Sequence, residues 1–159
     1  MSTATSRSGW LQAIRYSRSS SSVTTRICSL SSFKNFTRLT GLFASTPRNI
    51  RNTSEDPLYQ TMLEGLTLYR FDVPDGEYEI ELRFAEHQFG EAGRRVFDIT
   101  FNGGPAVKRL DLAKEAGQFQ AAAKKFRARA AEGRGVRVGF VPVAGRPLLS
   151  AVRIRRLGP

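Results

Sequence analysis

The residues whose types and order could do chemistry begin with His87, Gln88 and Phe89, consecutive in a stretch that holds glycine and breaks a strand pattern. An aromatic ring in a loop offers an apolar face for stacking, while amides and charged groups beside it offer hydrogen bonds. Phe89 offers such a ring, with Gln88 and His87 beside it as hydrogen-bonding groups. The competing reading is that Phe89 folds back as an apolar plug under its loop, since Phe is commonly buried. His87 has no Ser, Cys or carboxylate at the spacing that nucleophilic or acid–base catalysis requires, so it does not read as a catalytic base.

Glycoside hydrolysis needs two carboxylates facing one bond. Glu77, Glu79 and Glu81 share one face of a strand and fit a solvated sheet surface better. Glu86 ends a strand and Asp98 sits inside one. A buried acid is normally paired or hydrogen-bonded, so both read as structural, although Glu86 could equally reach a ligand. Lys124, Lys125, Arg127, Arg129, Arg153, Arg155 and Arg156 could meet phosphate, but only Phe126 is interleaved with them as a base-stacking ring. They read as cations guarding an exposed strand edge.

The elements that must position these groups are strands. Tyr78, Ile80, Leu82 and Phe84 alternate with Glu77, Glu79, Glu81 and Arg83, a period of two that places the apolar set on one face. Tyr69, Phe71 and Val73 alternate before them, and Pro74-Asp75-Gly76 between the runs predicts a β-hairpin. Asp56-Pro57 predicts extended backbone closing a sheet edge. Val96 to Phe101 predicts a strand ending at the turn Asn102-Gly103-Gly104, Ala106 to Leu112 a short strand, Val136 to Phe140 another, and Leu148 to Ile154 a last one. Gln118 to Glu132 is ambiguous: its Ala, Lys and Arg content favours helix, whereas Phe126, Ala128 and Ala130 alternate as in an edge strand. Many short strands with regular turn signals predict an all-β sandwich.

The 159 residues suit one domain. The net charge of +11 is lopsided: residues 1–54 carry eight of the 25 basic residues and no acid, and the other 17 stand against all 14 acids. Residues 1–46, rich in Ser, Thr and Arg, show no sustained period. Three readings stay open for them: an organelle-type targeting segment, a disordered basic tail, or residues that do not belong to the domain. The single cysteine, Cys28, offers neither an intramolecular disulfide nor a metal cluster. No apolar run approaches the ~18 residues of a membrane-spanning helix, and no clear signal peptide is present.

In order and spacing, DPLYQT at 56–61, YRFDVPDGEYEIELRFAE at 69–86, RVFDITFNG at 95–103, LDLAKEAG at 110–117 and PLLSAVRI at 147–154 resemble the malectin domain. They look especially like the malectin-like modules at the C-terminal ends of bacterial family 2 glycoside hydrolases of the β-galactosidase kind. The resemblance covers residues 47–157. It implies a jelly-roll β-sandwich over residues 47–159 lacking its first strand or strands, with 118–130 as strand. It implies a non-catalytic carbohydrate-binding module without cofactor, taking a galactoside or glucoside oligosaccharide, accessory to an adjacent glycoside hydrolase domain in a periplasmic or secreted setting. The alternative is a purely structural module that packs on a catalytic domain. A nucleic-acid partner is not expected. In the family a Tyr-Phe pair after the FAE block meets the sugar; here Phe89 is kept and Gln88 stands for the tyrosine. An aspartate in the loop before the last strand is replaced by Gly145-Arg146. The resemblance makes His87, Gln88, Phe89 and Arg146 the candidate sugar-binding residues, the Phe89 ring stacking on the apolar face of a pyranose and the others taking its hydroxyls. The family's other sugar-contacting tyrosines have no counterpart in residues 1–46.

Overall fold

The computed structural model describes residues 41–158 and the backbone of Val23–Arg26. Eleven strands appear among them: β1 (Val23–Arg26), β2 (Leu42–Ser45), β3 (Thr61–Glu64), β4 (Leu68–Phe71), β5 (Gly76–Ala85), β6 (Val96–Phe101), β7 (Gly104–Leu110), β8 (Ala121–Ala130), β9 (Val136–Ala144), β10 (Leu148–Leu149) and β11 (Ala151–Leu157). Two helical turns, α1 (Asp56–Tyr59) and α2 (Leu112–Glu115), complete the set. All strand pairs are antiparallel, in a four-stranded sheet β1-β11-β5-β8, a second β4-β9-β6-β7, and a three-stranded sheet β10-β3-β2.

The apolar alternation of β5 sets the core. Tyr78, Ile80, Leu82 and Phe84 are all buried and meet Phe97, Ile99, Val136, Val138 and Phe140 of the opposing sheet. The Phe84 and Phe97 rings lie 6.1 Å apart, and Phe101 meets Phe126 at 4.8 Å. The molecule is an all-β sandwich, as the strand pattern predicts. Within 118–132 the ambiguity resolves as strand β8 (Ala121–Ala130), at a sheet edge with Lys125, Arg127 and Arg129 exposed. Ten backbone pairings with β5 outweigh the helical preference of its alanines.

Several local expectations are corrected. Pro74-Asp75-Gly76 does not close a hairpin: β4 pairs with β9 and β5 with β8 and β11, so the turn carries the chain from one sheet to the other. Asp56-Pro57 opens the helical turn α1, where proline near the N-terminus lacks only an N–H that would be unbonded anyway. The strand expected at Ala106 to Leu112 is β7, ending at Leu110; Asp111 then caps α2 by accepting the Lys114 N–H. At the expected turn β6 and β7 form a hairpin, with Asn102 and Gly103 both at positive φ, as a two-residue primed turn demands. The expected last strand is split at the buried Ser150, whose N–H donates to the Arg83 carbonyl and whose Oγ accepts from the Ala85 N–H, where the chain changes sheets.

The polar face of β5 is solvated only at its start. Glu81 and Arg83 are buried, because residues 55–59 fold over that end: Arg83 bonds Glu81 and Glu55 and lies 5.9 Å from the Tyr59 ring centre. Of the segment before residue 47, β2 pairs with β3 and β1 with β11; its remaining residues up to 40, with Tyr16 and Cys28, lie outside the described residues.

Candidate functional site

The loop between β5 and β6, residues 86–95, stands at one end of the sandwich, and both its ends are anchored by charge. Glu86 is 1% exposed. One carboxylate oxygen accepts the N–H groups of Gln88 (2.9 Å) and Phe89 (3.3 Å), which bends the chain tightly after the strand. The other takes Nε of Arg95 at 2.6 Å. Arg95, 2% exposed, also donates to Glu64 of β3 (2.8 Å), to the Gln88 side-chain oxygen (3.1 Å) and to the Arg146 carbonyl, and its guanidinium lies 5.1 Å from the Phe89 ring centre. A planar fork with five donors can serve so many acceptors at once; an ammonium could not. The loop middle is held separately, by Gly93 N–H donating to Asp111 at 2.7 Å.

Three of the four predicted site residues therefore converge on one buried group. Gln88, Phe89 and the backbone of Arg146 surround Arg95. Phe89 is half-buried, between a free platform and a plug, and the exposed Arg94 guanidinium also lies 5.4 Å from its ring centre. Gly145, at φ +64°, brings the Arg146 turn against the loop: a Cβ there would stand 2.7 Å from the Arg94 carbonyl oxygen. The Arg146 side chain reaches solvent.

His87 belongs to a neighbouring cluster. Its Nε2 lies 2.8 Å from the Tyr59 carbonyl, its ring stacks on Phe119 at 6.1 Å, and Gln118 donates to its backbone carbonyl. Its Nδ1 is buried with no partner among the described residues. Burial lowers the imidazole pKa, and the bond to the Tyr59 carbonyl opposes that shift. Phe119 in turn carries the Arg48 guanidinium 4.9 Å above its ring.

The carboxylates weighed from sequence have structural partners. Glu77, Glu79 and Glu81 face Arg129, Arg155 and Arg83, and Asp98 accepts the Arg109 N–H at 2.7 Å. Sequence reasoning missed Arg95 and Glu64. A buried Glu86 called for a cation, and the Arg-Arg pair ahead of β6 was the available signal; nothing in the sequence around Glu64 marked it. Among the described residues no group of His, Cys, Asp and Glu has the makings of a metal site.

The Malectin domain family matches residues 11–150 of this sequence. The chain belongs to the malectin family. Malectin-B of Xenopus laevis is 40% identical over 76 residues, which is 45% of this chain and 28% of that protein; human Malectin is 36% identical over the same length. The chain thus spans less than a third of the curated malectins it matches. Among solved structures, β-glucuronidase of Bacteroides uniformis superposes with TM-score 0.70 and 31% identity over 76% of this chain and 14% of that enzyme. The ANXUR1 extracellular domain of Arabidopsis thaliana superposes with TM-score 0.64 at 17% identity, over 78% of this chain and 40% of that one, a likeness of fold alone. The malectin fold thus occurs both as part of a large glycoside hydrolase and in a plant ectodomain.

Proposed function

We propose that this chain is a non-catalytic carbohydrate-binding module that takes galactoside or glucoside oligosaccharides at the end of the sandwich bearing the 86–95 loop. The observation that carries this reading is the fixed presentation of Phe89 and Gln88: the buried Glu86–Arg95 pair and two backbone bonds to Glu86 hold an aromatic ring and an amide side by side next to the Arg146 turn. A ring for the sugar face and an amide for its hydroxyls, held before the ligand arrives, spare it the ordering cost that a mobile loop would exact. The module serves as an accessory to a glycoside hydrolase, in keeping with the β-glucuronidase in which this fold forms a small part of the chain. Titration of the chain with gluco- and galacto-oligosaccharides is the test. Saturable binding that Phe89→Ala weakens about fivefold or more is expected, since a stacked ring contributes ~1–3 kcal/mol.

A second reading has its own support. Two guanidinium groups within 5.4 Å of the Phe89 ring centre compete with a sugar for its surface. That arrangement suits a module whose loop end packs on a neighbouring catalytic domain and binds no sugar itself. The absence of any saturable, Phe89-dependent signal in the same titration decides for it.

A further inference from the structure

The loop end of the sandwich is rich in guanidinium groups without carboxylates. On the sheet faces some cations are matched with acids, as Arg155 with Glu79, Arg129 with Glu77 and Arg70 with Asp72, while the exposed Arg127, Arg137 and Arg156 form no ion pair among the described residues. Around the 86–95 loop, Arg48, Arg51, Arg94 and Arg146 are exposed, and none forms an ion pair among the described residues. Their placement is tied together by contacts already described. Arg48 stands over Phe119, which stacks on His87. Arg51 donates to the Gln118 carbonyl at 3.4 Å. Arg94 stands over Phe89, and the Gly145-Arg146 turn abuts the Arg94 backbone.

The acids of this end are mostly committed. Glu86 is buried with both oxygens bonded, Glu64 is paired with Arg95, and Asp111 accepts from Gly93 and Lys114. Glu91 is the exposed acid of the loop. At Phe89 the exposed cation is Arg94, 5.4 Å from the ring centre, and the turn that carries the exposed Arg146 abuts the Arg94 backbone. Guanidinium is the side-chain group best matched to a carboxylate, which it can grip through two parallel N–H donors.

Resting on the carbohydrate-binding reading, we infer that the ligand is an acidic sugar: a uronate-bearing oligosaccharide whose ring lies on Phe89 and whose carboxylate is held by Arg94 and Arg146. Arg94 and Arg146 then have the counter-charge that the protein withholds, and the sugar is oriented by a ring at one side and a charge at the other.

The test titrates the whole chain with matched pairs, α-1,4-digalacturonate against α-1,4-galactobiose and a glucuronate-ended disaccharide against cellobiose, by calorimetry in 50 and 300 mM NaCl. The acidic member of at least one pair is expected to bind about tenfold tighter or more, as a charge-assisted hydrogen bond supports. The ratio should shrink at the higher salt. Arg94→Gln with Arg146→Gln, both at exposed positions, should bring the ratio toward one, and Phe89→Ala should weaken the acidic sugar as well. Equal binding of acidic and neutral members overturns the inference and leaves the carbohydrate reading standing. A ratio that survives in the double variant, or uronate binding indifferent to Phe89→Ala, also overturns it, the latter showing bare charge attraction. No saturable binding by any of the four sugars overturns both readings together.

Discussion

Removing the Arg95 guanidinium leaves two carboxylates, Glu64 and Glu86, side by side in a buried setting. Glu86 has a fully buried side chain and Glu64 one only 13% exposed. Breaking a buried pair from one side costs ~3–5 kcal/mol because the other charge stays unmatched. Arg95→Met should therefore lower unfolding stability by about that amount in a denaturant titration, and raise amide exchange in residues 86–95 more than in β5. At His87 the effect is one of pH. Its folded-state pKa lies below the ordinary value because burial disfavours the imidazolium. The unfolded chain then takes up the proton first, so this residue's contribution to stability is intact above about pH 6.5 and is lost as the pH falls below it. Glu86 and Arg95 both act on the ring, in opposite senses. His87→Gln should show a shallower fall in thermal midpoint between pH 7 and pH 5 than the parent chain, and identical slopes would refute the assignment. Residue roles were unevenly legible in the sequence. Glu86 reads as a buried, satisfied acid from its place at a strand end, and Phe89 as a loop aromatic. Arg95 is invisible as a hub because its partners come from positions 64, 86, 88 and 146, and no local pattern joins them.

At the scale of elements, the period of two named β5, β6 and β9 without ambiguity, since each buries one face on the opposing sheet. It failed where both faces are covered. Glu81 and Arg83 alternate as solvent-facing residues should, yet residues 55–59 fold over them, and a packing event between distant segments leaves no mark on a strand's own period. The Pro74-Asp75-Gly76 turn has hairpin chemistry but joins strands of different sheets. Turn residues report that the chain bends, not which strand it will pair with. The Gly145 turn gives the sharper prediction. Its φ of +64° costs a side chain about 1 kcal/mol or more, and the Arg94 carbonyl blocks a Cβ at 2.7 Å. Gly145→Ala should both destabilise the protein by at least that ~1 kcal/mol and weaken oligosaccharide binding, because relief of the clash pushes the Arg146 turn away from the loop. Loss of stability with binding unchanged would show the turn to be structural only.

Across the whole molecule, the sandwich was legible, and the strand at Leu42–Ser45 was not. A boundary at residue 47 follows from the change in composition, and the malectin resemblance rests on blocks that begin at Asp56. Yet Leu42–Ser45 lies before that boundary and pairs residue for residue with β3, whose Met62 and Leu63 are buried in the core. A four-residue strand with no sustained alternation carries too little pattern to be found by period alone. A chain starting at residue 47 should unfold at a lower temperature than one starting at residue 41 and aggregate more readily, since β3 would present an unpaired edge. Equal midpoints and equal solubility would show that the domain begins at 47.

The five-donor grip of Arg95 also bears on how this domain can be redesigned. Residues 87–94 and the 145–147 turn behave as a single cassette riding on Glu86, Arg95 and Glu64. A loop grafted from another malectin domain without its matching turn and hub would strand a carboxylate or a guanidinium in the interior. Libraries that vary the tip while holding those three residues fixed keep the anchor and change only what the ligand meets.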